Sequence, residues 1–156
     1  MSDGASGKGD TEQYFRQLST QYQQYKNQLE SIKQHIDMVY TSSEECVKAL
    51  NTIESLESLE EGTESMVPIG SGTYMHAQFN DLNRFVIDIG AGISVEKNRE
   101  DAKETLNKRK EEMDNAYERL NESYSQVVQN MQEIERQFNE YQSKMQSQQD
   151  GAYRAQ

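Results

Sequence analysis

The stretch that decides the fold is residues 15–39, FRQLSTQYQQYKNQLESIKQHIDMV. Its apolar seam positions, alternately three and four residues apart, are Phe15, Leu18, Tyr22, Tyr25, Leu29, Ile32, Ile36 and Val39. A spacing that averages about 3.5 residues is typical of the narrow seam of a coiled coil, whereas a helix of a globular domain carries a wider apolar stripe. The stretch therefore predicts a long helix that packs against another helix along a single line.

The same phase continues toward residue 61. A polar residue, Ser43, interrupts it once. The positions that then resume it are Cys46, Leu50 and Ile53. Residues 11–61 contain neither glycine nor proline, so nothing in this range breaks a helix. We therefore predict an N-terminal coiled-coil helix over residues 11–62.

Capping signals mark the predicted ends of this helix. Asp10 followed by Gln13 predicts a capping box at the start, and Gly62 predicts a C′ stop. Residues 1–10 are rich in glycine and polar side chains and have no apolar core. We therefore expect them to form a disordered tail, not a signal peptide.

Residues 98–150 repeat the pattern of the first helix. The seam positions are Leu106, Met113, Tyr117, Leu120, Tyr124, Val127, Met131, Ile134, Phe138, Tyr141 and Met145. Lys110 is the polar exception, and Asn98 fits the N-cap position. We predict a C-terminal coiled-coil helix over residues 98–150, followed by a flexible tail over residues 151–156.

The two predicted helices have equal lengths and a compact connection, which predicts a long antiparallel coiled-coil hairpin. Such a pairing would place Phe15 near Met145 and Leu59 near Ala102. The apolar content is 33%, and about 39% when the nine glycines are added, whereas globular chains carry roughly 45–50%. The apolar side chains therefore suffice for a line of contact but not for a thick core.

The middle of the chain, residues 63–97, has a different chemistry. It holds the single proline and short alternating apolar runs separated by glycine-rich turns, which predicts four short strands in one or two hairpins. The predicted fold class is therefore mainly α with small β, a long antiparallel coiled-coil hairpin with a central insert of short β-hairpins. So small a sheet is marginal alone, and we expect it to be an oligomerisation region.

The apolar side chains of this insert are the predicted contacts for subunit assembly. They are Val67, Ile69, Tyr74, Phe79, Phe85, Ile87, Ile89, Ile93 and Val95. The alternative is an intrachain core, in which the residues of one face pack onto the helix ends. Both alternatives stay open at this point.

Charge and composition exclude several functional classes. The net charge is −11 and no segment is basic, so a surface that follows nucleic-acid phosphates is not expected. No apolar run approaches the ~18 residues of a membrane span. The one cysteine, Cys46, cannot form an intrachain disulfide, which fits a cytoplasmic location.

No group of residues with catalytic or ligand-binding spacing is found. His35 and His76 have no second metal ligand at a suitable spacing. The glycines at 70–72 and 90–92 lack the lysine and the following helix of a phosphate loop. Cys46 lies on the seam, where a buried, inert thiol is expected. We therefore expect no metal, no cofactor and no enzymatic activity.

Three segments resemble the alpha type of prefoldin subunit. They are VPIGSGTY at 67–74, IDIGAGISVEK at 87–97 and KRK at 108–110. The order helix, hairpins, helix is similar throughout residues 12–150. One departure is Ile93, where related chains often carry an aromatic residue, which could alter packing in the insert.

This resemblance implies a hexamer of two alpha and four beta-type subunits, whose hairpins join into a double β-barrel platform with six coiled-coil arms. It also implies an ATP-independent chaperone that captures unfolded client proteins between the arm tips and delivers them to a group II chaperonin. The second hypothesis is a structural coiled-coil scaffold subunit of a prefoldin-like assembly complex.

The predicted client contacts lie at the outer ends of the two helices, where coiled coils fray. They are Tyr14, Phe15, Leu18, Tyr22, Phe138, Tyr141 and Met145. Tyrosine and methionine suit loose, promiscuous contacts better than leucine alone. The alternative is that these residues only close the seam.

Overall fold

The structure is a computed structural model that describes the backbone of residues 6–153 and the side chains of residues 13–144 and Gln146. The elements, in chain order, are helix α1 (Ser6–Ser55), a 3₁₀ turn (Leu56–Ser58), strands β1 (Glu64–Gly70), β2 (Thr73–Gln78), β3 (Phe85–Asp88) and β4 (Ser94–Lys97), and helix α2 (Arg99–Tyr153). The predicted fold class, two long helices around small β-hairpins, is confirmed.

The chain divides into two compact units. We call Met1–Met38 with Tyr117–Gln156 the coil unit, and Val39–Ala116 the hairpin unit. In each unit the segments of α1 and α2 run antiparallel, because the partner's number falls as the α1 number rises. Phe15 contacts Tyr141 whereas Tyr22 bonds to Glu135 in the first unit, and Ser43 bonds to Asp114 whereas Glu57, just after α1, bonds to Lys103 in the second. Within residues 6–153, no helix has a stretch long and apolar enough to cross a bilayer.

The predicted seam of α1 is confirmed. Each of its predicted positions from Phe15 to Ile53 is buried or half-buried. Along α2 the described seam positions are also buried or half-buried, except for Tyr117 and Tyr124, which are 38% and 37% exposed. The most buried side chains of the coil unit are Leu18, Ile32, Val127 and Ile134. A single line of contact therefore holds each helix pair, as the 3-4 spacing requires.

The start of α2 follows the capping prediction. The Asn98 side-chain oxygen accepts a hydrogen bond from the Asp101 backbone N–H at 2.8 Å, as an N-cap residue does. The Asn83 side-chain oxygen accepts from the Arg99 N–H at 3.2 Å, so a second free N–H of the first turn has a partner. The side chains of Asn98 and Asn83 thus satisfy two N–H groups that have no partner within the helix, and this allows α2 to begin at Arg99.

The ends of α1 differ from the capping prediction. The helix already begins at Ser6, so Asp10 lies inside it and the proposed capping box with Gln13 is wrong. Residues 1–5 and 154–156 lie outside the described residues, while α2 continues to Tyr153.

Helix α1 also ends at Ser55, before the stop predicted at Gly62. Hydroxyl groups explain this early end: Ser55 donates to the Thr52 carbonyl at 2.7 Å, and Ser58 donates to the Ser55 carbonyl at 3.0 Å. These bonds supply partners for carbonyls that helix continuation would otherwise satisfy. Gly62, with a φ of +86°, instead directs the chain into β1.

The insert forms two separate antiparallel hairpins, β1–β2 and β3–β4. In the second, Ile87 is opposite Val95 and Phe85 is opposite Lys97, so these four side chains share one face. Ile87 is buried in a cluster with Ile53 of α1 and Ala102 and Leu106 of α2, and Phe85 packs against that cluster. The β3–β4 hairpin therefore lies on the helix pair of its own chain.

We expect that Asn98→Ala lowers the free energy of unfolding of the full chain by about 1 kcal/mol, because the Asp101 N–H loses its partner. Urea unfolding followed by circular dichroism measures this change. The matched control is Asn107→Ala, an exposed position inside α2, which is expected to leave stability unchanged or slightly raised. Equal losses in both variants would contradict the capping role.

Candidate functional site

Aromatic rings meet across the seam near the outer end of the coil unit. The Phe15 ring lies edge-on against Phe138 with centroids 4.7 Å apart, and tilted against Tyr141 at 6.0 Å. Tyr14 lies 6.3 Å from Tyr141. These separations fall in the range of favourable aromatic pairs. We call Tyr14, Phe15, Phe138 and Tyr141 the aromatic cluster.

Hydrogen bonds hold the tyrosine hydroxyls at the flanks of this seam. The Tyr14 hydroxyl donates to the Gln137 side-chain oxygen at 3.1 Å, and the Tyr22 hydroxyl donates to a Glu135 carboxylate oxygen at 3.0 Å. The bond to Glu135, and then the negative charge of that carboxylate, raise the pKa of Tyr22 above its ordinary value. The tyrosines therefore pack through their rings while their polar ends stay paired at the surface.

The predicted client contacts differ in their exposure. Leu18 is 4% exposed and belongs to the core of the seam, whereas Tyr14 is 43% exposed. Phe15, Tyr22, Phe138 and Tyr141 are half-buried, and the side chain of Met145 lies outside the described residues. The structure thus brings the described members together as a closed seam, and among them only Tyr14 presents an exposed ring.

The pairing of Phe15 also differs from the sequence-based estimate, which placed it near Met145. Its ring partners are Phe138 and Tyr141, at least one helical turn earlier in α2. That estimate assumed two helices of equal length and an α1 that ends at residue 62, whereas α1 ends at Ser55, seven residues earlier.

A chain of charged and amide groups along α2 supports the aromatic cluster, and the sequence reasoning missed it. Gln137, which accepts from Tyr14, donates to Glu133 at 3.0 Å. Arg136 donates to both Glu133 oxygens, at 2.7 and 3.0 Å, and to Glu140 at 2.5 Å. These bonds lower the pKa of Glu133 to about 2. The spacing of three and four residues around Arg136 is the signal that could have revealed this network.

The β1–β2 hairpin carries exposed apolar side chains on both faces. Val67 is opposite Met75, and Pro68 is opposite Tyr74, so these two pairs lie on opposite faces. The large apolar residues of this hairpin that are exposed by 39–63% are Met66, Val67, Ile69, Tyr74 and Met75. The sequence reasoning missed Met66 and Met75 because it assigned only alternate positions to a contact face.

The β3–β4 hairpin exposes a smaller apolar surface. Val86, which was not predicted, is 72% exposed, and Ile89 and Ile93 at the hairpin turn are 50% and 55% exposed. We call these three residues and the five exposed apolar residues of β1–β2 the hairpin surface.

Four predicted assembly residues lie away from this surface. Ile87 is 8% exposed within the intrachain core, and Phe79, Phe85 and Val95 are half-buried. Ile87 belongs to the cluster with Ile53, Ala102 and Leu106, and Phe85 packs against it, which favours the intrachain alternative for these two residues.

Three polar contacts also fix the β3–β4 hairpin to α2. Arg99 Nη2 donates to the Leu82 carbonyl at 2.7 Å before β3, and Lys97 Nζ of β4 donates to the Thr105 hydroxyl at 2.7 Å. Arg109 donates to the Asp88 carbonyl at the end of β3. This hairpin is therefore anchored by its own chain on one face.

Among the side chains that the structure describes, no three histidine, cysteine or acidic residues come together in a way that could hold a metal ion. His35 and His76 are both exposed, on α1 and β2. Cys46 is a half-buried free thiol.

Comparison with known proteins points to one family. The model of the family described as Prefoldin subunit matches residues 25–144. The prefoldin subunit alpha of Methanococcoides burtonii is 41% identical over 102 residues, which cover 65% of this chain and 74% of that protein. That of Methanosarcina mazei is 38% identical over 100 residues, which cover 62% and 70%.

A solved structure has a similar fold. The cryo-EM structure of filamentous PFD from Methanocaldococcus jannaschii superposes with a TM-score of 0.66 at 20% identity, over 74% of this chain and 95% of that one.

The pairing of Glu133 with Arg136 gives a pH prediction. Because the pKa of Glu133 is lowered, the pairing stabilises the native state above pH 4.5, the ordinary value, and this contribution is lost as the pH falls toward 2. An NMR titration of the full chain should give a Glu133 midpoint at about 2, and Arg136→Gln should move it up toward 4.5. Lys144→Gln, on the same helix, should leave it in place. A midpoint near 4.5 in the unmodified chain would contradict the bonded arrangement.

Proposed function

The chain belongs to the prefoldin family and is a prefoldin chaperone subunit, and from this premise we propose that it is the alpha-type member of a hexamer of two alpha and four beta-type subunits. The observation that carries this proposal is the hairpin surface, whose eight large apolar side chains are exposed on the single chain. Exposure of this apolar surface to water costs free energy, and that cost is removed when hairpins of neighbouring subunits cover the surface.

Strand edges support the same assembly. Each of the two sheets has only two strands, so every strand has one edge without a strand partner in the described chain. Such edges accept further strands readily, and a hairpin of two strands is marginally stable alone. Pairing with hairpins of other subunits would satisfy these backbone groups and bury Val67, Ile69 and Tyr74 at the same time.

We further propose that the outer ends of the helices bind unfolded client proteins. The aromatic cluster joins α1 to α2 by ring contacts, and Leu18 is the first buried residue along the described seam of α1. Opening this end would expose rings that can contact apolar side chains of a client instead. Each arm would bind weakly, and several arms acting together would supply the affinity.

The remaining elements of the proposal follow the family. The captured client would pass to a group II chaperonin in the cytoplasm. Capture by exposed apolar groups requires no nucleotide, cofactor or catalytic residue. We therefore propose an ATP-independent binding activity and no enzymatic one.

One observation favours the alternative, a structural scaffold subunit of a prefoldin-like assembly complex. The described aromatic members of the predicted client-contact set pack within the chain, since their rings make edge-on and tilted contacts and the Tyr14 and Tyr22 hydroxyls are bonded. A scaffold needs such a closed seam, whereas a capture site needs it to open.

We expect Ile69→Asp with Met75→Asp to weaken assembly roughly 100-fold, because a buried carboxylate without a partner costs several kcal/mol. Native mass spectrometry after co-expression with a beta-type subunit measures this. Both positions are exposed in the single chain, so helix content should be retained. The matched control, Gln24→Asp with Gln28→Asp on the exposed face of α1, adds the same charge and should assemble normally. Normal assembly of the hairpin variant would contradict the proposal.

Client capture is tested separately in the assembled complex. Deletion of residues 1–22 and 138–156, or Phe15→Ser with Phe138→Ser and Tyr141→Ser, should weaken suppression of the aggregation of a denatured client without ATP, because two of the six arms lose their contacts. Native mass spectrometry should still show a hexamer. Tyr117→Ser with Tyr124→Ser, which removes two exposed rings elsewhere on α2, should retain suppression. Full protection by the deleted complex would favour the scaffold alternative.

A further inference from the structure

The two polar interruptions of the apolar seams meet at one carboxylate. Ser43, the polar seam residue of α1, donates from its hydroxyl to Asp114 Oδ1 at 2.8 Å. Lys110, the polar seam residue of α2, donates from Nζ to Asp114 Oδ2 at 2.5 Å. Asp114 stands one turn after Lys110 beside the seam. We call these three residues the polar layer, and it lies within the hairpin unit.

The charges of the polar layer are matched to one another. The bonds from Lys110 and then from Ser43 lower the pKa of Asp114, and the bond to Asp114 raises the pKa of Lys110, with a smaller contribution from the Glu44 carboxylate on α1. Both groups are therefore charged at neutral pH, and each has its partner within the layer.

Apolar residues surround the polar layer along the seam of α1. The seam residues one heptad to either side of Ser43 are Ile36 and Leu50. If α1 slipped by one heptad against α2, Asp114 and Lys110 would stand opposite an aliphatic side chain, and Asp114 would lose the Ser43 hydroxyl. The apolar seam positions of the two helices, taken without the hairpin that rests on them, would tolerate such a slip, because their heptad spacing is periodic.

We propose that Asp114, together with Ser43 and Lys110, determines the register in which α1 pairs with α2. A polar residue at a seam position specifies register at a cost in stability. Strength is not the role of this layer, because the side chains of Lys110 and Asp114 are 38% and 47% exposed, and ion pairs that exposed contribute little to stability. Their role is to make the slipped alternatives unfavourable.

Register matters here because the β3–β4 hairpin rests on residues from both helices. Ile87 packs against Ile53 of α1 and against Ala102 and Leu106 of α2. A heptad slip displaces one helix by roughly 10 Å along the other, which separates Ile53 from Ala102 and removes the support of Ile87. The polar layer thus positions the platform from which the hairpin surface is presented to other subunits.

The register can be measured by the distance between two spin labels in the full chain. Ser42→Cys on α1 and Asn107→Cys on α2 are both exposed, and Cys46→Ala in every protein removes the native thiol. The two sites are offset along the helix axis, so a heptad slip changes their separation by several ångströms. The chain is assembled with its partner subunits and diluted with unlabelled chain, so that each complex carries one labelled copy.

The labelled chain that retains Ser43, Lys110 and Asp114 should give one narrow distribution of distances between the two spin labels. Ser43→Leu with Lys110→Leu and Asp114→Leu should keep the helices, since leucine has a high helix propensity, and should add a second distance. Asp114→Asn retains an oxygen that accepts from Ser43 and should keep the single distance. Should the leucine variant lose its helical circular dichroism, Lys110→Ala with Asp114→Ala should give the same second distance.

The matched control is Glu118→Leu, which removes an exposed carboxylate from the same helix, and it should give the single native distance. An unchanged single distance in the leucine and alanine variants would overturn the proposal. A second distance of equal population in the Glu118→Leu control would overturn it too, because loss of any acidic residue would then suffice.

Discussion

The structure depends on one constraint, that a pair of helices can bury only a single line of side chains. Positions from Phe15 to Ile53 supply that line from α1. A chain built in this way has no interior into which the apolar strands of residues 64–97 could be withdrawn. Those strands must either rest on the end of the helix pair or be covered by another chain.

The two hairpins differ in how their apolar side chains are covered. The β3–β4 hairpin rests on apolar residues of the helix pair, the cluster of Ile53, Ala102 and Leu106, and Arg99 and Arg109 hold the chain before and after β3. The β1–β2 hairpin has apolar side chains on both faces, so even docking one face onto the helices would leave the other uncovered. This difference makes β1–β2 the segment whose burial depends most strongly on partner subunits.

The sequence predicted the elements that periodicity controls and missed those that single contacts control. The 3-4 spacing identified the seam residues of α1, and the side chain of Asn98 identified the start of α2. The end of α1 was missed because it depends on the hydroxyls of Ser55 and Ser58, which have no periodic signature.

The faces of the strands were missed for a different reason. Alternation tells which residues share a face but not which face meets the helices. Ile87 and Val86 therefore could not be assigned from the sequence, whereas in the structure Ile87 packs with Leu106 and Val86 is exposed. Asp114 was missed because it lies beside the seam, although its two partners, Ser43 and Lys110, were recognised as polar exceptions.

The ring contacts of the aromatic cluster are weak enough for the proposed capture of clients. Each ring pair is worth only about 0.5–1.5 kcal/mol beyond its buried area. A client that offers rings or aliphatic groups can therefore replace those contacts at little net cost, which favours weak binding at each arm and makes the number of arms decide the affinity.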